Sequence, residues 1–141
     1  MLQELETDWE RAEQESNWLV TPEWERERLE HLSTLRQAVT HPGFLTESAR
    51  PIGTEQDFEG EWMGFRVRGT LDRVDELNGR ALIIDYKSGS TKPLGVQDRE
   101  RKLNLDVQLA LYAYAALPQI YPDHKLGGAM YVSLRTGEVI D

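Results

Sequence analysis

The pattern of apolar and polar residues divides the chain into a helical front and a strand-rich remainder. Leu2 to about Trp18 has the pattern of a strongly acidic helix. A second helix is predicted to begin at Thr21-Pro22-Glu23, with Thr21 as N-cap and Pro22 at the first helical position. An apolar stripe at helical spacing predicts that this helix continues until His41-Pro42-Gly43: Leu29, Leu32, Leu35, Ala38 and Val39.

Four segments of strand-forming residues follow: Ile52–Phe58, Trp62–Val74, Ala81–Tyr86 and Gly128–Leu134. We expect Glu59-Gly60-Glu61 to join the first two strands. Asn78-Gly79 predicts a hairpin between the second and third. A polar loop from Lys87 to Leu103 precedes a helix from about Leu105 to Leu117, which we expect Pro118 to close. This order of elements predicts an α/β fold with helices on the faces of a mixed sheet.

The chain of 141 residues is long enough for one hydrophobic core, and no low-complexity linker divides it. We therefore expect one domain overall, with an acidic helical segment (1–48) packing on a core (49–141). Trp9, Trp18 and Trp24 are interpreted as core or interface anchors.

The chain has no cysteine, which excludes disulfides, a thiol nucleophile and cysteine-ligated zinc. No apolar run approaches transmembrane length, and the N-terminus is too acidic for a signal peptide, so the cytoplasm is the expected compartment.

The third predicted strand ends in an unusual group of polar residues. Ala81–Ile84 is as apolar as a strand buried on both faces, yet Asp85-Tyr86-Lys87 follows directly. Alternation places Asp85 and Lys87 on one side of the strand and Tyr86 on the other. The hairpin would bring Asp72 beside Asp85. Two carboxylates and an amine at one strand end indicate a metal and a reacting phosphate; the alternative is a surface ion pair.

Three sequence blocks together carry a family resemblance. They are Gly69-Thr70-Leu71-Asp72-Arg73-Val74-Asp75, then Ala81 to Gly89 ending Asp85-Tyr86-Lys87-Ser88-Gly89, then Gln108-Leu109-Ala110-Leu111-Tyr112. In this order they resemble the PD-(D/E)XK nuclease superfamily and its RecB/AddB-like exonuclease branch, over roughly residues 50 to 135. The resemblance implies a restriction-endonuclease-like αβββαβ core. It also implies a DNA nuclease module of a helicase–nuclease in DNA repair and recombination, with DNA and a helicase or other subunits as partners.

The resemblance also implies roles for individual residues. Mg²⁺ or Mn²⁺ would be held by Asp72, Asp85 and the backbone carbonyl of Tyr86. Lys87 would orient or help deprotonate the attacking water, or balance charge on the phosphate. Without cysteine, the iron–sulfur cluster of some RecB-like nucleases is excluded.

Three further positions are candidates with open alternatives. Glu55 matches an acid that the family places one strand before Asp72, as a metal ligand or water contact; an exposed strand carboxylate is the alternative. Gln108 and Tyr112 lie four residues apart on one helical face. In the family they line the active site, and a buried hydrogen-bonded pair is the competing interpretation. Asp75 is expected to be exposed or paired with Arg73, and Gly69 and Gly89 to serve backbone geometry.

The formal net charge of −9 argues at first against a nucleic-acid enzyme. Residues 1–61 hold 15 acids and 5 bases, whereas residues 62–141 hold 10 acids and 11 bases. The acidity therefore belongs to the N-terminal part, and we expect DNA to be delivered by a partner domain. Candidates for phosphate contacts, or else solvated surface charges, are Arg66, Arg68, Arg73, Lys92, Arg99, Arg101 and Lys102.

One departure from the family concerns histidine. RecB-like nucleases carry a further metal-binding histidine on an N-terminal helix, whereas His31 and His41 lack its sequence context and are interpreted as surface or capping residues. We therefore expect the chain to be a C-terminal piece of a longer protein, with weak metal binding and slow or no turnover. A non-catalytic DNA-binding or scaffolding module is the leading alternative. An acidic protein-interaction domain with a chance motif is the third.

Overall fold

The computed structural model describes residues 2–89 and 107–140. Two helices, α1 (Leu2–Glu15) and α2 (Pro22–Thr40), precede the strands β1 (Arg50–Trp62), β2 (Phe65–Leu77) and β3 (Arg80–Lys87). A helix over residues 107–120, named α3 here, is followed by β4 (Lys125–Ser133) and β5 (Val139–Ile140). The predicted loop before α3, the predicted helix start near Leu105, and Lys92, Arg99, Arg101 and Lys102 lie outside the described residues.

The five strands form one mixed sheet in the order β1-β2-β3-β4-β5. All neighbouring pairs are antiparallel except β3 and β4, which run parallel. A parallel pair needs a crossover connection, and α3 lies in that connection. The predicted α/β class with a mixed sheet and flanking helices is therefore confirmed.

The core lies between α3 and the centre of the sheet. Leu71 and Val74 of β2 and Ile83 of β3 are fully buried and pack with a group of residues on α3: Tyr112, Ala113, Ala116 and Leu117. These apolar strand centres end directly at the polar residues of interest, so the core supports the ends of β2 and β3. No helix within residues 2–89 and 107–140 is both long and apolar enough to cross a membrane.

The turn between β1 and β2 was predicted wrongly at Glu59-Gly60-Glu61. Pairing continues through these residues to Trp62 opposite Phe65, and the turn is Met63-Gly64, with φ of 51° and 82°. Two positive φ angles are the requirement of a type I′ hairpin turn. Gly60 instead permits close packing, because a Cβ there would lie 3.0 Å from the backbone oxygen of Ala115 on α3. The predicted Asn78-Gly79 turn is confirmed, with φ of 52° and 73°.

Pro118 does not close α3, contrary to the prediction. Residues Tyr112–Ala116 form a π-helical turn, with the Leu117 N–H donating to Tyr112 O, and helical structure continues to Ile120. Proline has no N–H, and its ring clashes with the carbonyl four residues earlier in an α-helix. The wider turn relieves that clash, so Pro118 is accommodated inside the helix.

Other boundaries follow from caps and turns. Thr21 Oγ1 accepts from Trp24 N–H at 3.2 Å, confirming the predicted start of α2, and the helix ends at His41 as expected. Helix α1 ends at Glu15, before the predicted Trp18, and Asn17 adopts φ of 50°. Strand β5 was not predicted, since two residues are too few to establish an alternating pattern.

Candidate active site

The candidate site lies where β2 and β3 separate. Their pairing ends at Arg73 opposite Ile84, which places Asp72 opposite Asp85. The backbone N–H of Tyr86 donates to Asp72 Oδ2 at 2.8 Å. The Asp72 carboxylate thus accepts the hydrogen bond of a β3 backbone N–H that lies beyond the last β2–β3 pair.

Asp85 and Lys87 lie on the same side of β3, as alternation predicts. Asp85 is 3% exposed, and its Oδ2 lies 2.7 Å from Lys87 Nζ. This contact is an ion pair without directed hydrogen-bond geometry, so Oδ2 is a buried acceptor that accepts no hydrogen bond. Lys87 Nζ donates instead to Gln108 Oε1 at 2.9 Å.

Gln108, near the start of α3, links the polar residues. Its Nε2 donates to Asp85 Oδ1 at 3.1 Å and to the Tyr112 hydroxyl at 2.8 Å. Its Oε1 accepts from Lys87 and, at 3.3 Å, from the Tyr131 hydroxyl. All four polar positions of the amide are therefore used, which fixes its orientation. The structure brings together Asp72, Asp85, Lys87, Gln108 and Tyr112.

Tyr131 belongs to this group and was missed by the sequence analysis. It lies on β4 in register with Asp85, and Lys87 Nζ stands 4.8 Å from the centre of its ring. An ammonium over an aromatic face is stabilised in its charged form. The parallel β3–β4 register, which the sequence does not reveal, brings this tyrosine beneath the lysine.

Burial is the main cause of the electrostatic state of Asp85. Burial raises the pKa of its carboxyl above the usual 3.8, and the nearby charge of Asp72 raises it further, while Lys87 acts in the opposite direction. Burial likewise raises the pKa of Tyr112 above 10.0, despite the hydrogen bond from Gln108. Burial and the charge of Asp72 both disfavour the ionised form of Asp85, an arrangement typical of sites that take up a cation or a proton.

The sequence matches the family described as the PD-(D/E)XK nuclease superfamily over residues 1–140. The chain belongs to the PD-(D/E)XK nuclease superfamily. The match includes both N-terminal helices as well as the sheet. A search of curated proteins finds no match to the chain. Membership in the superfamily supports a nuclease activity on DNA, and its nucleases typically use divalent metals.

The donor set fits the divalent cation that is typical of PD-(D/E)XK nucleases. Asp72 and Asp85 supply carboxylate oxygens, the ligands that hard cations such as Mg²⁺ and Mn²⁺ prefer. Asp85 Oδ2 is buried and accepts no hydrogen bond, so a cation would satisfy an acceptor that Lys87 only partly compensates. Within the described parts of the chain, however, no three His, Cys, Asp or Glu side chains are clustered as a metal site.

Glu55 lies on β1 but does not form a three-carboxylate cluster with Asp72 and Asp85. The pairs Thr54–Arg73 and Gln56–Leu71 place Glu55 opposite Asp72, yet it is exposed and has a φ of 48°. A positive φ in a non-glycine residue redirects the side chain from the regular strand direction. The role of Glu55 as a metal ligand or water contact stays a prediction.

The two upstream histidines have ordinary structural contacts. His41 is the C-cap of α2, and its Nδ1 accepts from the Gly43 N–H at 3.0 Å. The His31 ring stacks with Trp9, with ring centres 6.2 Å apart, and lies tilted against Trp24, with ring centres 6.3 Å apart. These contacts agree with the capping and surface roles expected for them.

Arg73 was wrongly predicted as a candidate phosphate contact. It is 4% exposed, and its guanidinium forms a two-pronged ion pair with buried Asp75, the pairing predicted as one alternative for Asp75. Its Nη1 also donates to Phe44 O at 3.1 Å and to the Tyr86 hydroxyl at 3.0 Å. Arg73 thereby holds Tyr86 from the side opposite Asp85 and Lys87. Arg66 and Arg68 are exposed, and Arg66 pairs with Glu59.

Proposed function

We propose that this chain is a metal-dependent DNA nuclease that hydrolyses phosphodiester bonds, with exonuclease-like action. The observation that carries the proposal is the convergence of Asp72, Asp85 and Lys87 at the separation of β2 and β3, held by Gln108. Packing alone does not explain two acids and an amine at a partly buried position, because burial works against the charge of Asp85.

In this proposal, Asp72, Asp85 and the backbone carbonyl of Tyr86 hold Mg²⁺ or Mn²⁺. When bound, the ion supplies charge neutralisation at the phosphate and lowers the pKa of bound water. Lys87 orients the attacking water or balances charge on the scissile phosphate. Gln108 and Tyr131 hold the Lys87 ammonium, and Tyr112 holds the amide of Gln108. These contacts pre-orient the amine, which lowers the entropic cost of reaching the reactive geometry.

The wider role in this proposal is that of a RecB-like nuclease module in a helicase–nuclease of DNA repair or recombination. The three sequence blocks around Asp72, Asp85 and Gln108 support this assignment. The excess of acids in residues 1–61 also favours it, because an acidic domain needs another subunit to deliver DNA. The cytoplasm is the proposed compartment.

A catalytically weak module with a DNA-binding or scaffolding role is the second candidate. It is supported by the donor set in the described residues, where no third carboxylate or histidine joins Asp72 and Asp85 in a metal-binding cluster. Two carboxylates with waters suffice for Mg²⁺ at many phosphate sites, but they bind it weakly without substrate.

The test is cleavage of linear DNA by the purified chain with Mn²⁺. We expect degradation by the wild-type protein and a loss of at least about 100-fold in the Asp85→Ala variant, because the metal site is then removed. Asp57→Asn, which changes an exposed acid on β1, is the matched control and should retain activity. Equal cleavage by wild type and Asp85→Ala would refute the proposal. Stabilisation by Mn²⁺ in wild type alone, with no cleavage, would instead support the second candidate.

A further inference from the structure

The α1–α2 hairpin carries a cavity that the nuclease site does not use. This cavity, called the tryptophan cavity below, has a volume of about 230 Å³ and a mainly apolar lining. The residues that line it are Trp9, Ala12, Glu13, Ser16, Trp18 and Trp24. Its volume suits one large apolar side chain. Concave apolar sites of this kind accept the anchor residue of a partner.

The tryptophan cavity is held in shape by one carboxylate. Glu13 accepts from the indole N–H groups of Trp9 at 3.0 Å and Trp24 at 2.6 Å, and from Arg28 at 3.2 Å. The rings of Trp9 and Trp24 stack with centres 6.3 Å apart, and Trp18 lies 5.0 Å from Trp24. A cavity fixed by such bonds is preformed, so a ligand does not have to order it.

An exposed apolar segment continues from the rim of the tryptophan cavity. Trp18, Leu19 and Val20 are 54%, 79% and 49% exposed in the connection between α1 and α2. Scattered exposed apolar residues are common, but three consecutive ones beside an apolar cavity form a patch. Such a patch is typical of a surface that another chain covers.

An acidic groove adjoins the cavity and determines the charge of the ligand. The groove has a volume of about 520 Å³, shares Ser16, Trp18 and Trp24 with the cavity, and is also lined by Glu23 and Glu27. Both glutamates are exposed, and neither has an ion-pair partner among the residues that the structure describes. Their negative charge is therefore available to a basic ligand and repels nucleic acid.

We propose that the α1–α2 hairpin docks a basic segment of a partner protein. An apolar side chain of that segment fills the tryptophan cavity, and lysines or arginines beside it lie at Glu23 and Glu27. The face of Trp18 favours the same cations. This surface goes beyond the proposed nuclease function, and its test uses no cleavage assay, so the two proposals fail independently.

Tryptophan fluorescence tests the docking surface directly. In a Trp62→Phe background, the signal comes only from Trp9, Trp18 and Trp24. The probe is a short synthetic peptide with a central phenylalanine flanked by lysines. We expect a saturable change in fluorescence that weakens with salt, because the acidic groove contributes by charge. Matched peptides replace the lysines by glutamates, or the phenylalanine by glycine, and should bind at least about tenfold more weakly.

Variants of the chain complete the test. Trp18→Ala should weaken binding of the lysine–phenylalanine peptide about tenfold or more, and Glu23→Gln with Glu27→Gln should remove most of its salt dependence. Both changes are at exposed positions, and circular dichroism with thermal melting confirms that the variants fold. Equal binding of the lysine and glutamate peptides, or undiminished binding by Trp18→Ala, would overturn the proposal. The proposal would also be overturned if the wild-type chain self-associates and Trp18→Ala does not, since the occupant of the cavity would then be a second copy of this chain.

Discussion

Tyr86 donates its backbone N–H to the Asp72 side chain at 2.8 Å, at the point where β2 and β3 part. One bond thus orients a carboxylate and satisfies a strand donor. Asp72 therefore has a structural contact through Oδ2, while Oδ1 accepts no hydrogen bond from the described residues and is free for a ligand. The two roles of this side chain are separable by experiment.

Asp72→Asn should abolish cleavage with little loss of stability. Asparagine retains an oxygen that accepts from Tyr86, but it loses the charge that a divalent cation needs. We expect the free energy of unfolding to change by less than about 1 kcal/mol, measured by urea denaturation without metal. DNA cleavage in Mn²⁺ should fall at least about 100-fold. Cleavage that persists in Asp72→Asn would show that this carboxylate is not a metal ligand.

Asp85→Asn should stabilise the metal-free protein at neutral pH. Burial raises the pKa of Asp85 in the folded state above 3.8, so the folded protein prefers the protonated form. The stability linked to that proton is fully present below 3.8 and is lost as pH rises through the raised pKa. Thermal melts in EDTA should give equal melting temperatures for both proteins in acid and a higher one for Asp85→Asn at neutral pH. A constant difference at all pH values would contradict this.

Tyr131→Leu should reduce cleavage more than Tyr131→Phe. The phenylalanine keeps the ring under Lys87 and loses the hydroxyl with its 3.3 Å bond to Gln108, whereas leucine removes the ring as well. A cation–π contact of about 1 kcal/mol corresponds to about a fivefold loss of kcat for leucine relative to phenylalanine. Steady-state cleavage of a labelled DNA end measures both variants. Equal activity of the two would exclude a role for the ring.

Much of this site follows from local patterns in the sequence. Period-two alternation places Asp85 with Lys87, the Asn78-Gly79 hairpin brings Asp72 beside them, and helical spacing pairs Gln108 with Tyr112. The position of Tyr131 in the site could not be predicted from such patterns. It depends on the parallel register of β3 and β4, which a long crossover sets rather than neighbouring residues.

Errors in the predicted fold have similar physical causes. Glycine is typical of turns, but Gly60 lies within the paired part of β1 and allows close packing against Ala115. The hairpin therefore extends beyond Gly60 to Met63-Gly64. Proline is typical of helix ends, but the π-helical turn before Pro118 relieves the clash between its ring and the preceding turn of the helix. In both cases tertiary packing overrides a local preference that the sequence alone suggests.

Arg73→Ala should destabilise the protein strongly. Arg73 and Asp75 are both buried, and removing one partner leaves an uncompensated buried charge, at a cost of about 3–5 kcal/mol. Replacing both by apolar residues, as in Arg73→Met with Asp75→Leu, should cost less than Arg73→Ala alone. Arg66→Ala, which breaks the exposed pair with Glu59, is the control and should cost less than about 1 kcal/mol. Urea denaturation compares them; a double variant less stable than the single one would contradict this account.

A crystal structure of the protein soaked with Mn²⁺, with the metal located by anomalous scattering, tests the proposed metal site most directly. We expect a peak between the carboxylates of Asp72 and Asp85, with Lys87 Nζ nearby, and no such peak in Asp85→Asn. A peak elsewhere, or none at these carboxylates at saturating Mn²⁺, would contradict the proposed metal-dependent hydrolysis.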